Sequence, residues 1–257
     1  MTTYGLIGKK LSHSFSAEYF NTKFEDESID SVYKLFEISD IKDIYNLLKS
    51  ETSLRGLNVT IPFKEVVLPF LNGFDTTVKE TGAANTIKIV DKKLFGFNTD
   101  VIGFEHLLKP LINNRCPKAL VFGTGGAAKA VVFVLKKMNI PFQTISRTKE
   151  KGNLLWKEIT PDIISDNELL INTTPLGMHP LENAAPSLPY EAITANHIAI
   201  DLIYNPETTL FLKQCQQQKA VISNGLTMLY TQAEAAWKIW NLDFDFESLD
   251  FESISLR

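Results

Sequence analysis

The stretch ALVFGTGGAA, residues 119–128, decides the fold expected for the second half of the chain. Its first four residues predict a buried strand, and the glycine-rich turn after them opens a helical pattern at 127–138. Gly123 allows the tight turn, Gly125 lets a pyrophosphate approach the backbone, and Ala128 keeps the helix close to the sheet. The N–H groups and positive dipole end of the helix would then hold the phosphates. We therefore expect a dinucleotide site, although glycine turns also serve tight strand–helix packing.

Strand and helix patterns alternate through this half of the chain. Repeated βα units argue for a doubly wound parallel sheet, the Rossmann arrangement. The strand patterns cover 119–122, 142–146, 169–172, 198–202 and 220–223, and the helical patterns cover 101–111, 127–138, 208–217 and 227–240.

The end of the second of these strands indicates which nicotinamide cofactor is preferred. NAD-binding proteins place an Asp or Glu about 20 residues after the glycine turn, where it holds the ribose 2′-hydroxyl. Here the position reads Ser146-Arg147-Thr148, so no carboxylate would repel a 2′-phosphate. Arg147 can pair with that phosphate through two hydrogen bonds and stack on adenine, and both hydroxyls can donate to it. We expect NADP rather than NAD; the alternative is a solvated arginine in a loop.

The first hundred residues predict a separate α/β unit. Its composition changes near residue 101, so we expect one domain at 1–100 and a second at 101–225. Two alternating runs around Asp91-Lys-Lys93 predict a hairpin. The strand patterns cover 4–7, 32–38, 54–61, 86–90 and 94–97, and the helical patterns cover 16–25 and 40–49, the latter with Asp40 as N-cap.

Within this unit the stretch NVTIPFKE, residues 58–65, contains the end of a predicted strand and, shortly after it, the cation Lys64. Side chains alternate along a strand, so Asn58 and Thr60 are expected on one face. Pro62 stops the strand and begins a helix, which puts Lys64 in the first helical turn. There the helix dipole disfavours a cation and tends to lower its pKa. Lys64 is therefore a candidate catalytic group, and the alternative is an ordinary solvated lysine.

Further polar clusters flank the predicted elements. LSHSFS, residues 11–16, offers three hydroxyls before a helix, which suits a carboxylate ligand and suits simple N-capping as well. Asn85 closes the loop GAAN, and Asp100 closes GFNTD before the next helix, where it is equally well explained as an N-cap. A Ser-His-Asp hydrolase drawn from Ser12, His13 and Asp100 is unsupported, because the chain lacks a GxSxG elbow.

Composition argues against several classes of function. The chain has 26 basic and 30 acidic residues, a formal net charge of -4, so nothing favours nucleic-acid binding. Cys116 and Cys215 show no CxxC spacing and the histidines show no ligand spacing, so neither a disulfide framework nor a metal site is indicated. The stretch MTTYGLIGKK lacks the pattern of a secretory leader and no run of about 18 apolar residues occurs, so we expect neither a leader nor a membrane span. We expect a cytoplasmic protein with no membrane partner, as a monomer or homodimer.

Taken in order along nearly the whole chain, these motifs resemble the shikimate dehydrogenase family. The series is YGLIG, LSHSFS, NVTIPFKE, GAANTI, GFNTD, GTGGAAKA, SRT, NTTPLGM, DLIYNP and NGLTMLYTQA. That family reduces 3-dehydroshikimate to shikimate with NADPH, on the route to chorismate and the aromatic amino acids. The resemblance implies an N-terminal α/β substrate domain and a C-terminal Rossmann domain flanking a cleft, with C-terminal helices at 226–257 folded back onto the first domain.

The resemblance also implies roles for individual residues. Lys64 with Asp100 would handle proton transfer while a hydride moves from the nicotinamide. The substrate would be held at its carboxylate by Ser14, Ser16 and Tyr204, and at its ring by Asn58, Thr60, Asn85, Asp100 and Gln232. The cofactor would lie against Gly123, Thr124, Gly125, Gly126 and Ala127 at the pyrophosphate, Ser146, Arg147 and Thr148 at the 2′-phosphate, and Leu202 and Gly225 at the nicotinamide.

The chain departs from the family pattern at three places. GKK stands where the family has GNP, Ser16-Ala-Glu-Tyr-Phe-Asn21 replaces SP..HN, and SRT replaces NRT. The first two bear on loop shape beside Ser14 and Ser16, and the third bears on the strength of the NADP preference. Two rivals fit the same scaffold: a quinate/shikimate dehydrogenase with NAD or dual cofactor use, and a catalytically silent nucleotide-sensing homologue. The silent homologue would be expected to lose polar site residues that this chain keeps.

Overall fold

The computed structural model describes residues 1–11 and 14–242. The chain divides into two compact units, the first formed by Met1–Thr99 with the described chain from Ala233 onward, and the second by Asp100–Gln232. The second division falls inside the last helix, so the two halves of that helix belong to different units.

The first unit is built on a mixed six-stranded sheet. Its elements are β1 (Thr2–Gly8), α1 (Phe15–Asp26), β2 (Ser31–Glu37), a 3-10 turn (Ile41–Asp43), α2 (Ile44–Ser50), β3 (Leu54–Val59), α3 (Phe63–Val66), a 3-10 turn (Leu68–Phe70), β4 (Gly73–Phe74), α4 (Thr76–Thr81), β5 (Thr86–Val90) and β6 (Lys93–Phe97). The strands lie in the order β2-β1-β3-β5-β6-β4. The pairs β2/β1 and β1/β3 are parallel, whereas β3/β5 and β5/β6 are antiparallel.

Local sequence explains several of these elements. The expected hairpin is confirmed, and its turn residues Asp91 and Lys92 have φ of 50° and 64°, the left-handed backbone that a two-residue type I′ turn requires. Asp40 is confirmed as an N-cap, since its side chain accepts from the Lys42 N–H at 2.9 Å. The helix expected at 40–49 begins with a 3-10 turn and continues as α2.

The second unit is a doubly wound parallel sheet, as expected. Its elements are α5 (Thr99–Ile112), β7 (Ala119–Phe122), α6 (Gly126–Lys137), β8 (Phe142–Ser146), β9 (Leu154–Leu155), a 3-10 turn (Trp156–Glu158), α7 (Pro161–Ser165), β10 (Leu169–Asn172), a 3-10 turn (Tyr190–Ala192), β11 (Ile198–Asp201), α8 (Leu210–Gln217), β12 (Val221–Ser223) and α9 (Leu226–Asn241). The strand order is β12-β11-β10-β7-β8-β9, and the strand pairs are parallel. Alternate strand residues face opposite sides, so Val121 packs in the cluster with α5 and α6 while Leu120 packs in the cluster with α7 and α8.

An aromatic cluster in the first unit anchors the second half of α9. The Trp240 indole N–H donates to the Ile87 carbonyl at 3.0 Å, and a Cβ at Gly56 would overlap the indole ring. The buried Lys88 ammonium donates to the Ile239 carbonyl at 3.1 Å and to the Leu242 carbonyl, so it caps the end of α9. The cluster consists of Tyr4, Leu6, Leu11, Phe20, Phe24, Tyr33, Ala233, Ala236 and Trp240.

Some expected boundaries differ from the structure. The helix expected at 101–111 begins at Thr99 and continues through Pro110 to Ile112, so Asp100 lies in its first turn and the N-cap interpretation of Asp100 is wrong. The short elements β4, α4, β9 and α7 carry no clear periodicity and were not expected. The sequence predicts domain boundaries after residues 100 and 225, whereas the compact units of the structure divide after Thr99 and after Gln232. The tail 243–257 and the pair Ser12-His13 lie outside the described residues.

Within the described ranges, no helix is long and apolar enough to cross a membrane.

Candidate active site

Lys64 lies on α3, a helix of a single turn. The strand expected to continue to residue 61 ends at Val59, because the chain turns where the Phe63 N–H donates to the Thr60 carbonyl at 2.8 Å. Thr60 therefore follows β3, and the strand face expected for it with Asn58 is wrong. Because α3 has four residues, Lys64 belongs to its first and its last turn alike. The helix-dipole argument for an unusual cation has no basis in so short a helix.

Main-chain hydrogen bonds tie Lys64 and Thr60 to neighbouring loops. The Ala84 N–H donates to the Lys64 carbonyl at 2.8 Å, which joins α3 to the GAAN loop. The Thr60 N–H donates to the Ile7 carbonyl at 3.0 Å. A Cβ added at Gly8 would lie 2.7 Å from the methyl group of Thr60. The backbone of Lys64 is thus fixed one residue from the loop position of Asn85.

Asn58 is 5% exposed and has partners on two neighbouring strands. The Tyr33 hydroxyl donates to Asn58 Oδ1 at 2.8 Å. Asn58 Nδ2 faces the Asn85 carbonyl at 3.4 Å and Thr86 Oγ1 at 3.3 Å. The antiparallel register places Asn58 opposite Thr86, which brings these groups together.

Asn85 is buried and holds the start of α5. The Thr99 N–H donates to Asn85 Oδ1 at 2.7 Å, and Asn85 Nδ2 donates to Thr99 Oγ1 at 3.0 Å. The Thr86 hydroxyl adds a bond to Asn85 Oδ1 at 3.1 Å. The preceding loop is shaped by α4, which ends at Gly82 with φ of 60°. These contacts fix the backbone directly before Asp100.

The two serines expected at the substrate carboxylate lie at the start of α1. Ser14 occupies the N-cap position, yet its side chain makes no capping hydrogen bond within the described chain, so N-capping does not explain this hydroxyl. Ser16 lies in the first turn, and its side chain hydrogen-bonds the Tyr33 hydroxyl. The loop before them is held where the Leu11 N–H donates to Glu37 Oε1 at 2.6 Å.

These contacts join candidates that are distant in sequence into one buried polar network. No sequence pattern pointed to Tyr33, Thr86 or Thr99, because each fits a strand or a helix start without further explanation. Thr86 could have been found by pairing the expected hairpin with the strand of Asn58, whereas Tyr33 could not. The members of the network are Ser16, Tyr33, Asn58, Asn85, Thr86 and Thr99.

The glycine turn of the second unit follows β7 and opens α6, as expected. Gly123 has φ of +107°, and a Cβ there would lie 2.7 Å from Thr173 Oγ1, so both backbone and space require glycine. Gly125 is the N-cap residue of α6, and a Cβ there would meet no described atom within 4 Å. Ala128 is buried in the cluster between α6 and the sheet. The open side of the turn and the N–H groups from Gly126 onward are suited to an anion.

The Ser146-Arg-Thr148 segment ends β8 in a tight turn. The Ser146 hydroxyl donates to the Thr148 carbonyl and accepts from the Thr148 N–H at 3.1 Å. The Thr148 side chain hydrogen-bonds Glu150. Because both hydroxyls are engaged locally, the exposed Arg147 is the group of this segment best placed to receive a phosphate.

Leu202 and Gly225, expected together at the nicotinamide, are in contact. A Cβ at Gly225 would overlap the Leu202 carbonyl oxygen, and the Gly225 N–H donates to the Ile203 carbonyl at 3.1 Å. Tyr204 follows on the same loop, where burial raises the pKa of its hydroxyl, so that the group stays a donor at neutral pH. Only glycine permits this close approach of the loop to the start of α9.

Asp100 and Gln232 lie on two helices of the second unit that touch. Gly103, three residues after Asp100, faces α9, and a Cβ there would lie 3.3 Å from Gln232 Cβ. The Gln232 amide donates to the Leu229 carbonyl at 3.0 Å. The buried Asp100 and the half-buried Gln232 thus belong to the same helix pair.

A second polar network, not expected from the sequence, fastens the loop that carries Leu202 and Tyr204. Asp201 ends β11 fully buried and accepts from the Thr209 hydroxyl at 2.7 Å, the Ile203 N–H at 3.1 Å and Asn172 Nδ2 at 3.1 Å. Burial raises the pKa of Asp201 to about 6, and these hydrogen bonds oppose the rise. Within the motif DLIYNP, residues 201–206, the resemblance implied roles for Leu202 and Tyr204 but none for Asp201.

The second unit therefore has the parallel sheet, glycine turn and helix N-terminus of a Rossmann dinucleotide-binding protein. The first unit has a buried set of amides and hydroxyls suited to a polar small molecule.

Comparison with known proteins identifies the family. Residues 6–87 match the family described as the shikimate dehydrogenase substrate binding domain. A shikimate dehydrogenase (NADP(+)) from Clostridium beijerinckii is 41% identical, over 93% of this chain and 92% of the relative. The chain belongs to the shikimate dehydrogenase family.

Two solved structures of the family have the same fold. Shikimate 5-dehydrogenase from Thermus thermophilus, in complex with NADP(H) and shikimate, matches with a TM-score of 0.84 at 28% identity, over 94% of each chain. The Listeria monocytogenes enzyme, in complex with shikimate and NAD, matches with a TM-score of 0.82 at 25% identity, over 93% of this chain and 91% of the other.

Proposed function

We propose that the protein catalyses the reversible NADPH-dependent reduction of 3-dehydroshikimate to shikimate. Its family makes it an oxidoreductase of the shikimate dehydrogenase type with NADP as cofactor. The observation that carries the more specific proposal is the buried network of the first unit. It links three of the residues expected at the substrate carboxylate and ring, Ser16, Asn58 and Asn85, in one set of hydrogen bonds.

The substrate roles follow the chemistry of the groups present. Ser14, Ser16 and Tyr204 offer hydroxyl donors, which suit a carboxylate. The ring hydroxyls and the carbonyl need both donors and acceptors at fixed positions, which amides and carboxylates supply. We assign that role to Asn58, Thr60, Asn85, Asp100 and Gln232. We assign residues 1–100 to substrate binding and 101–225 to cofactor binding.

Ketone reduction needs a hydride and a proton. NADPH supplies the hydride when bound, and the carbonyl oxygen that gains charge must then be protonated. We assign this proton to the Lys64 ammonium, whose neutral form accepts the hydroxyl proton in the oxidative direction. Asp100 is assigned to the same proton transfer.

The cofactor roles rest on the glycine turn and the strand that follows. The open side of Gly125 and the start of α6 suit the pyrophosphate. Arg147 suits the 2′-phosphate through paired charge-assisted hydrogen bonds. Leu202 and Gly225 are assigned to the nicotinamide, whose flat ring needs a close apolar surface.

The test is a direct assay. Purified protein is mixed with NADPH and 3-dehydroshikimate, and the loss of NADPH absorbance is followed, with NADH in a parallel reaction. We expect turnover with NADPH and a clearly higher KM for NADH. Absence of turnover with either cofactor would exclude the proposed reaction and would favour the silent nucleotide-sensing homologue.

A dehydrogenase that accepts quinate or NAD is the second candidate. It is favoured by the Listeria monocytogenes relative, whose structure holds shikimate with NAD. Quinate carries one ring hydroxyl more than shikimate, so oxidation of the two compounds is compared with NADP and with NAD. Comparable kcat/KM for both compounds would favour this candidate over a shikimate-specific enzyme.

A further inference from the structure

Tyr33 is a buried tyrosine that none of the roles above uses. It lies in the middle of β2 with 3% of its surface exposed. Its ring stacks on Phe20 at a centroid distance of 4.9 Å, and Trp240 lies at 6.3 Å. A ring packed in this way cannot turn its hydroxyl away from the neighbours it faces. Those neighbours therefore determine what the hydroxyl does.

The hydroxyl stands between two residues assigned to the substrate. It donates to Asn58 Oδ1 at 2.8 Å, and the Ser16 side chain hydrogen-bonds the same oxygen. Burial raises the pKa of Tyr33, so the group stays protonated and remains a donor. One hydroxyl therefore connects the start of α1 with the end of β3.

This contact and the Asn85 carbonyl together set the orientation of the Asn58 amide. With Oδ1 engaged by Tyr33, Nδ2 faces the Asn85 carbonyl at 3.4 Å. A flipped amide would bring Oδ1 against that carbonyl oxygen, and two acceptors cannot bond each other. Asn58 is thereby held with its amide nitrogen toward Asn85 and Thr86 and its Oδ1 toward Tyr33.

We infer that Tyr33 is a positioning residue, which holds the Asn58 amide in place and sets it relative to Ser16. The inference deepens the proposed function and rests on it. The carboxylate end and the ring of the substrate would then be held by groups whose spacing a single buried hydroxyl determines. Without it, Asn58 Oδ1 loses its partner, and the amide is held only through the two contacts of its Nδ2.

The experiment removes only the hydroxyl, with Tyr33→Phe. The ring that packs on Phe20 is kept, so the variant is expected to fold, with a melting temperature only a few degrees lower because Asn58 Oδ1 loses its partner. We expect the KM for 3-dehydroshikimate and the Kd for shikimate by calorimetry to rise about 10-fold, the scale of one hydrogen bond, because Asn58 is no longer held in place for the substrate. The KM for NADPH should change less than about twofold. Tyr190→Phe is the matched control, since it removes the hydroxyl of a half-buried tyrosine that donates to the Pro186 carbonyl at 2.7 Å in the other unit.

A double-mutant cycle separates positioning from a general loss of structure. If Tyr33 acts through Asn58, Tyr33→Phe should change the shikimate Kd less than about twofold when Asn58→Ala is already present. The same 10-fold loss in both backgrounds, or an unchanged Kd in Tyr33→Phe alone, would overturn the positioning role and leave the proposed function standing. An unsubstituted protein that neither binds shikimate nor turns over 3-dehydroshikimate would overturn both.

Discussion

The two units of the molecule present their candidate ligand groups by different means. In the second unit the groups are largely backbone, the turn at Gly123 and Gly125 and the N–H groups that open α6. In the first unit they are side chains, and each amide is turned by another buried side chain, as Asn58 is by Tyr33 and Asn85 is by Thr99. The candidate nucleotide site is therefore encoded within about ten residues, whereas the candidate substrate site depends on residues from five parts of the chain.

This difference has a physical basis. A pyrophosphate is a strong, nearly symmetric anion, and any set of convergent N–H groups can bind it. A polyhydroxylated ring has donors and acceptors that must be told apart, so the protein must fix the orientation of each amide. Fixing an amide in a buried site needs partners on neighbouring strands, and those partners come from distant sequence.

The largest effect is expected where the first unit supplies chemistry as well as binding. Lys64→Ala removes the assigned proton donor, so kcat should fall by a factor of about 100 or more with a small change in KM. The measurement is steady-state reduction of 3-dehydroshikimate with NADPH. Lys49→Ala, on the exposed end of α2, is the matched control and should leave kcat unchanged. A near-normal kcat in Lys64→Ala would remove this residue from the mechanism.

Alanine at the two glycines of the nucleotide turn, Gly123 and Gly125, should impair different properties of the protein. Gly123→Ala is strained by its φ of +107° and by Thr173, so unfolding free energy should fall by about 1–3 kcal/mol. Gly125→Ala has an ordinary φ of -81° and open space, so stability should be unchanged. Its methyl group should nevertheless raise the Kd for NADPH about 30-fold, the scale of overpacking, because the pyrophosphate is expected there.

Urea unfolding and NADPH titration distinguish the two glycines. Gly125→Ala with normal stability and normal NADPH affinity would show that the phosphates bind elsewhere. In that case the open side of the turn would be only a feature of strand–helix packing.

A substitution of Arg147 tests whether the second unit binds the cofactor through a side chain as well as through its backbone N–H groups. Arg147→Asp should raise the KM for NADPH about 10-fold or more, the scale of a hydrogen bond between charged groups. The KM for NADH should change less than about threefold, because NADH lacks the 2′-phosphate. Lys157→Asp, an exposed change of the same charge in the same unit, is the control. Equal effects on both cofactors would remove Arg147 from cofactor discrimination.

The contrast also explains how much of the molecule the sequence predicts. Periodicity and the glycine turn are local, so β7, β8 and β10 and the hairpin were placed correctly. The end of β3 was missed because a turn bond between Thr60 and Phe63 competes with continued strand pairing. Short elements such as β4 and α7 have too few residues to show a period, and tertiary contacts alone define them.

The candidate site divides in the same way. Asn58, Asn85 and Ser16 were each found within a motif, but their connection through Tyr33 and Thr86 depends on which strands become neighbours. Strand neighbours cannot be read from alternation, since every amphipathic strand shows the same period. For the same reason Asp201 stood in a recognised motif without its role being visible.

The smallest effect expected is a pH dependence that the Asp201 network of the second unit should show and the network of the first unit should not, because the latter consists of neutral groups. Burial raises the pKa of Asp201 from its ordinary 3.8 to about 6, so the folded protein holds this proton more tightly than the unfolded chain. Its contribution to stability is complete below about pH 3.8 and is lost as the pH rises through 6, which amounts to about 1 kcal/mol between pH 5 and pH 7.

Urea unfolding at both pH values measures this contribution as the difference in unfolding free energy between the unsubstituted protein and Asp201→Asn, which cannot titrate. The difference should shrink by about 1 kcal/mol on going from pH 5 to pH 7. Asp166→Asn, at an exposed position of the same unit, should leave the corresponding difference constant. A constant difference for Asp201→Asn would mean that the donors from Thr209, Ile203 and Asn172 outweigh burial. The loop of Leu202 and Tyr204 would then be fastened by a permanently ionised carboxylate, and the two networks would differ in charge but not in their response to pH.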